Sequence, residues 1–261
     1  MITLYKNSGS HGDLIYSLCV IPKIGPGTFV FPINNLANEC RKYHALKVVD
    51  LQPIHRDYFT EQHYQMFLPL LKKQPYIEDV LRWEPGTPVP HGPWYDTDKF
   101  RGIFGKRICN NYMTMFYECF GIPFTPEDHN VPWLTAGTQH KAPIVICRTE
   151  RYRYPDDHGN EHYRKMHKEY NLTKNAVFIG SEREHYKFQL ETKVEVKHQL
   201  INDFLEFAEI INAAEQFVGN QTFGLSLATA LGKTTYTEVR PLPYPTANEC
   251  YWEFRKNSFY F

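Results

Sequence analysis

At 261 residues the chain is long enough for one large domain or two small ones, either of which can bury a core. Lysine plus arginine equals aspartate plus glutamate, 29 each, so no net field gathers nucleic acid or an anionic membrane surface. Hydrophobic residues at 42% and charged residues at 22% exclude a disordered chain.

No apolar run reaches the ~20 residues of a membrane span, and the N-terminus carries no basic segment leading into an apolar signal region. The expected compartment is therefore the cytoplasm. The cysteines Cys19, Cys40, Cys109, Cys119, Cys147 and Cys250 are scattered without a C-x-x-C pair, which favours free thiols over a zinc site or a disulfide framework.

In chain order, Ile2 to Lys6 reads as a strand, the polar turn Asn7 to Asp13 follows, and the apolar stretch Leu14 to Ile24 reads as a helix. Thr28 to Ile33 and Leu46 to Leu51 are β-rich and predict two further strands. The prolines and glycines from Pro85 to Pro93 exclude regular helix and central strand, so a surface loop is expected there. Gly121 to Trp133 is again rich in proline and polar residues. Thr135 to Lys141 reads as a linker, which divides the chain into residues 1–138 and 139–261.

Strands are expected at Pro143 to Cys147 and Ala176 to Ile179. Asn202 or Asp203 can cap a helix whose Phe204, Phe207, Ile210, Ile211 and Ala214 fall on one face. Phe217 and Val218 form a short strand. Thr222 can cap a helix that stops at Gly232, and Thr234 to Val239 supplies a last β segment. The alternation predicts an α/β protein with parallel sheets and crossover helices.

The segment Phe217 to Lys233 is a strand turning sharply into a capped helix at the carboxyl edge of a sheet, where open α/β folds gather their ligands. The start of such a helix, with its unpaired amides and positive dipole end, suits a diphosphate. The alternative is that Gly219, Asn220 and Thr222 only make a turn and a cap. Arg148, Arg151 and Arg153 crowd a strand-end loop, where guanidinium groups could bind phosphate oxygens or stand in solvent. His158 and His162 have helical i,i+4 spacing, but Gly159 and Asn160 argue against helix, and a surface loop is favoured over a metal site. Asp96, Asp98, Lys99 and Arg101 follow the proline-rich loop and are positioned to meet a second substrate.

The helix segment resembles the stretch of family 9 glycosyltransferases, the ADP-heptose:lipopolysaccharide heptosyltransferases, that reads roughly G-N-D-S-G-P-x-H-L-A-A-A-L-G-K-P. Gly219, Asn220, Leu227, Ala228, Ala230, Leu231, Gly232 and Lys233 stand in register, while Gln221, Thr222, Phe223 and Ser226 replace the family's Asp, Ser, Gly and His. Gly12, Asp13, Leu14 and Ile15, followed by Leu18 and Pro22, resemble that family's G-D-x-x-x-x-x-P start.

The resemblance implies a GT-B-like architecture, two Rossmann-type domains facing a central cleft, with an acceptor-side domain first and a nucleotide-sugar-binding domain second. It implies Asp13 as the general base that takes the proton of an acceptor hydroxyl; the residue's local alternative is a helix N-cap. It places Gly12, Arg148, Thr149, Arg153, Glu182, Asn220, Gln221, Thr222 and Gly224 around a nucleotide-diphosphate sugar. Glu182 would accept from ribose hydroxyls. The implied reaction is inverting glycosyl transfer to a hydroxyl acceptor of glycan or glycolipid type, with no metal and no separate cofactor. A non-catalytic nucleotide- or sugar-binding module, and a nucleotide-sugar epimerase, are the alternatives on the same fold.

Overall fold

A computed structural model describes residues 2–33, 59–84, 86–88, 90–103, 111–150, 152–153, 157–239 and 255–261, with backbone only at 101 and 102. Leu46 to Leu51, Arg151, Cys40, Cys109 and Cys250 lie outside the described residues.

The first sheet is four-stranded and parallel, in the order β3-β2-β1-β4. Its strands are β1 (Leu4–Lys6), β2 (Gly27–Pro32), β3 (Ile77–Trp83) and β4 (Trp94–Asp96). Helix α1 (His11–Ser17) runs through a 3-10 turn, Leu18–Val20, into α2 (Ile21–Ile24), where Pro22 falls in the first turn and needs no donor. The sequence pattern had not separated α3 (Glu61–Lys72) or α4 (Tyr112–Cys119) from their surroundings. Both are closed at their starts by side-chain caps, Thr60 with His63 for α3 and Asn111 for α4.

The second sheet is six-stranded and parallel, in the order β10-β9-β8-β5-β6-β7. It comprises β5 (Ile144–Cys147), β6 (Ala176–Phe178), β7 (Lys197–His198), β8 (Gln216–Gly219), β9 (Thr234–Thr237) and β10 (Ser258–Tyr260). Its helices are α5 (His158–Tyr170), α6 (Leu172–Asn175), α7 (Glu182–Thr192), α8 (Phe204–Ala213) and α9 (Phe223–Ala230). Asp203 caps α8, and Thr222 caps α9. Gly232, at φ +75, ends α9: the Gly232 amide donates to Thr229 O and the Lys233 amide to Ala228 O, a pairing that needs the left-handed residue glycine supplies.

His158 and His162 do lie on a helix, contrary to the sequence expectation. Gly159 is tolerated in its first turn because a Cβ there would fall 2.3 Å from Glu238 Oε1, so the glycine makes room for a buried ion pair. His162 stacks on Phe261 with 3.6 Å between ring centroids. Among the described residues no cluster of three or more His, Cys, Asp or Glu is arranged to hold a metal ion.

The halves are welded, with α1 packing on α9 and α3 on α8. One continuous apolar cluster draws on both sheets, from Tyr5, Leu14 and Phe67 to Phe204, Phe217 and Leu227. His11 of α1 sits among Phe67, Phe204 and Phe223, with centroid distances of 5.5, 5.6 and 5.7 Å, so aromatic rings from both halves meet at one point. No described helix is long and apolar enough to cross a membrane.

Candidate functional site

Both sheets reverse direction beside one strand. In the first, the chain moves outward from β1 through β2 and β3 and returns to add β4 on the other side of β1; in the second it moves from β5 to β6 and β7, then returns with β8 beside β5. Loops leaving the carboxyl ends of strands at such reversals diverge and leave a crevice. The loops after β1, β5 and β8 meet around a cavity of about 340 Å³, lined by Ser10, His11, Gly12, Asp13 and Tyr16 from one half and by Thr149, Tyr152, Gln221, Thr222, Phe223 and Leu225 from the other, with Tyr112 of α4 closing it. That volume is at the small end of the usual range for ligand pockets, about 300 to 1,000 Å³.

The loop carrying Asp13 is set from below by buried charge. Lys6 Nζ donates to Asp96 Oδ1 at 2.9 Å and to Asp98 Oδ2 at 2.7 Å, and all three side chains are buried. Burial by itself would lower the Lys6 ammonium, but attraction to Asp96 and Asp98 and the hydrogen bonds to them outweigh it and hold Lys6 above its ordinary value. The Ser8 amide donates to Asp98 Oδ2 at 3.0 Å, Asn7 Nδ2 to Thr97 Oγ1 at 2.9 Å, and the Gly9 amide to Asn7 Oδ1 at 3.0 Å. Asp96 and Asp98 thus serve as a foundation for the loop, and the expectation that they would meet a second substrate is corrected. Of their companions, Lys99 does not line the cavity and the Arg101 side chain lies outside the described residues.

Ser10 is the N-cap of α1, accepting from the Asp13 amide at 3.5 Å. Asp13 is therefore in the first helical turn, and the cap is Ser10. Ser10 was readable as the cap from the sequence, since serine is among the preferred N-cap residues.

The second half of the wall is held by an amide clasp. Asn220, fully buried, accepts from the Thr149 amide at 3.0 Å and donates to Thr149 O at 2.8 Å, tying the loop after β8 to the loop after β5. Its side chain is consumed by that task, so it positions Thr149 instead of meeting a ligand. Gly219 is required beside it, because a Cβ would fall 2.0 Å from the Cys147 carbonyl oxygen. Gly224 is buried off the cavity, where a Cβ would press to 3.1 Å against the Cys147 sulfur. Thr222 caps α9, accepting from the Leu225 amide at 3.3 Å, and the Gly224 amide is in hydrogen-bond contact with the Cys147 thiol. Burial pushes that thiol up to about 12, so it stays neutral. At the start of α9, Gln221, Thr222, Phe223 and Leu225 line the cavity, while the Gly224 and Leu225 amides are paired within the protein.

Truncating Asn220 to alanine strands the Thr149 amide and carbonyl. The variant is expected to lose about 1–3 kcal/mol of stability, as for other buried polar groups deprived of a partner. Chemical denaturation checks this, and unchanged stability would show that the clasp contributes nothing.

The loop arginines are placed elsewhere. Arg148 Nε donates to Glu238 Oε2 at 2.6 Å, Nη2 to Glu238 Oε1 at 2.8 Å and Nη1 to Asn160 Oδ1 at 2.7 Å, while its guanidinium carbon lies 5.1 Å from the centre of the Tyr163 ring. Burial works against this guanidinium, but the Glu238 hydrogen bonds hold it above its ordinary value. Arg153 pairs with Glu191, and Glu182 is an exposed residue at the start of α7. Of the residues expected around a nucleotide sugar, Gly12, Thr149, Gln221 and Thr222 line the cavity, together with Asp13, the expected base; Arg148, Arg153, Glu182, Asn220 and Gly224 do not line it. Sequence reasoning missed Tyr16, Tyr112 and Tyr152. Tyr16 falls one helical turn from Asp13, which was a usable cue; Tyr112 offered none, being brought in from α4.

No family model matches the chain, and no curated protein matches its sequence. Among solved structures it is similar to the E. coli ADP-heptose lipopolysaccharide heptosyltransferase II, at 11% identity and a TM-score of 0.52, over 100% of this chain and 90% of that one. A family 9 glycosyl transferase from Veillonella parvula is similar at 10% identity and a TM-score of 0.48, over 99% and 85% of the two chains. The E. coli heptosyltransferase WaaC with ADP-2-deoxy-2-fluoro heptose is similar at 15% identity and a TM-score of 0.46, over 100% and 93%. The chain thus shares the two-sheet α/β fold of heptosyltransferase II over nearly the whole of both proteins.

Proposed function

We propose that the protein is a glycosyltransferase that moves a sugar from a nucleotide-diphosphate sugar to a hydroxyl acceptor, with inversion and without a metal ion. The observation that carries this reading is the arrival of Asp13, from one half, and the start of α9, from the other, on the walls of one cavity. The acceptor hydroxyl gives its proton to the Asp13 carboxylate as its oxygen bonds to the anomeric carbon. The bond from that carbon to the diphosphate oxygen breaks, and its electron pair leaves with the diphosphate. The positive end of α9 and the hydroxyls of Thr149 and Thr222 meet the growing charge on the leaving group. The fold shared with heptosyltransferase II supports this reading, and the motifs around Gly12 and Asn220 agree with it.

The test is a thermal-shift screen against ADP-, GDP-, UDP- and CMP-sugars, followed by an assay for transfer and for slow donor hydrolysis. A ligand that binds only the folded form raises the midpoint. Stabilisation by none of the four would overturn the reading.

One observation favours a second reading, a binding module without turnover. Ser226 replaces the family's His, is fully buried, and donates its hydroxyl to Phe223 O at 2.7 Å, so this position sends no side chain to the cavity. Stabilisation by a nucleotide sugar with neither transfer nor hydrolysis would select that module.

A further inference from the structure

The loop after β5 carries Thr149 and Tyr152 into the cavity wall, while Glu150 and Arg153 of the same loop lie outside it. Arg183, Lys187 and Glu191 recur at every fourth position of α7 and so share one face of that helix. The loop matches this row sign for sign. Glu150 accepts from Arg183 Nε at 3.0 Å and from Lys187 Nζ at 2.5 Å. Arg153 pairs with Glu191, which also stands 3.7 Å from Arg148 Nη1 at the start of the loop. Two arginines of the loop thus share one carboxylate of α7, and Glu150 between them is held by two cations. On its inner side the same loop is fixed at Thr149 by Asn220.

We propose that Glu150 is a positioning residue for the cavity: by latching the loop to α7 through Lys187 and Arg183, it sets Thr149 and Tyr152 on the wall. The inference rests on the reading of the cavity as a nucleotide-sugar site, and adds a residue outside the cavity on which its geometry depends. A lone surface ion pair contributes little, because water and salt screen it and two long side chains must be ordered to make it. A matched row differs, since charges joined in a network hold one another in place. Thr149 adjoins Glu150 and Tyr152 stands two residues on, so a shift of Glu150 passes directly to both. Holding a binding loop in one arrangement before the ligand arrives lowers the ordering cost of binding. Removing the latch restores that cost, and affinity falls although no contact to the ligand is lost.

The test compares the parent with Glu150→Gln, with Lys187→Glu, and with the swap Glu150→Lys plus Lys187→Glu, which rebuilds a pair of opposite sign. The Glu150 and Lys187 side chains are 34% and 32% exposed, so none of these changes strands a buried charge and the variants are expected to fold. Arg82→Gln, which breaks exposed pairs to Glu61 and Glu84 in the first half, is the control. Hydrogen exchange is read without ligand on the peptide spanning 149–153, and affinity for ADP, GDP and UDP is read by calorimetry. Glu150→Gln is expected to speed exchange in that peptide by about 5-fold and to weaken whichever nucleotide the parent binds by about 5-fold, with β5 and β8 unchanged. Lys187→Glu should do the same, the swap should restore both readouts, and Arg82→Gln should move neither. In 1 M salt, where the screening length is about 3 Å, the parent loop should exchange as fast as that of Glu150→Gln, whose own rate barely changes.

Unchanged loop exchange in Glu150→Gln overturns the latch. Faster exchange throughout β5 and β8 also overturns it, since Glu150 is then a general stabiliser of the fold. Faster loop exchange with unaltered nucleotide affinity overturns the link to the cavity, and a swap that restores neither readout overturns the pairing as its cause. If the parent binds no nucleotide, it is the glycosyltransferase reading that fails, and the exchange data decide the latch by themselves.

Discussion

Replacing Asp13 by asparagine is expected to cut glycosyl transfer by at least ~100-fold, the lower end of what a positioned general base contributes. The nucleoside diphosphate should bind the variant as it binds the parent. Asparagine has the shape of aspartate, and the cap of α1 belongs to Ser10, so the substitution removes the proton acceptor without opening the helix. The measurement is initial velocity with the best donor from the thermal-shift screen, read against nucleotide affinity by calorimetry. An equal loss in kcat and kcat/KM with unchanged nucleotide affinity marks an interaction made in the transition state. Full activity would remove Asp13 from the chemistry, and lost nucleotide binding would recast it as a structural residue.

The second large effect is expected at Glu238. This carboxylate and Arg148 have side-chain exposures of 0% and 3%, so both were desolvated on folding, and each is compensated by the other. Glu238→Gln leaves the guanidinium buried with a neutral group at position 238 and with Glu191, 3.7 Å from Nη1, as its remaining counter-charge, at an expected cost of about 3–5 kcal/mol. For a domain of this size that lowers the thermal midpoint by roughly 6–20 °C. Differential scanning calorimetry checks it. The double variant Arg148→Met with Glu238→Met should recover a large part of the loss, because it removes the stranded charge and fills the volume with apolar atoms. A midpoint within 2 °C of the parent for Glu238→Gln would show that water or another group already solvates the pair; that threshold is about one kcal/mol or less.

The two effects divide the polar residues near the cavity into different kinds of work. Asp13, Thr149 and Thr222 line it, whereas Arg148, Asn220 and Asp98 hold the backbone that carries those side chains. The distinction accounts for the fate of the arginine loop. A guanidinium suits phosphate and carboxylate alike, and here the nearer partners are Glu238 for Arg148 and Glu191 for Arg153.

What the sequence determined by itself was local. The caps at Asp203 and Thr222, the glycine stop at Gly232, and the β-rich runs that became β1, β2, β5, β8 and β9 follow from backbone sterics and from hydrogen bonds made within a few residues. The α/β class followed from their alternation. The nomination of Gly12, Asp13, Gln221 and Thr222 came from the family resemblance of the two strand-to-helix turns that carry them. The tertiary structure decided which charges face a ligand and which face each other. Arg148 and Glu238 are 90 positions apart, as are Lys6 and Asp96, and no local pattern marks such partners. It also brought Tyr112 from α4 against Tyr16 of α1, since a stacked wall depends on where two elements cross. Short-range steric and capping rules act on neighbours in the chain. The pairing of buried charges and rings is settled only when the sheets have packed and solvent has been excluded.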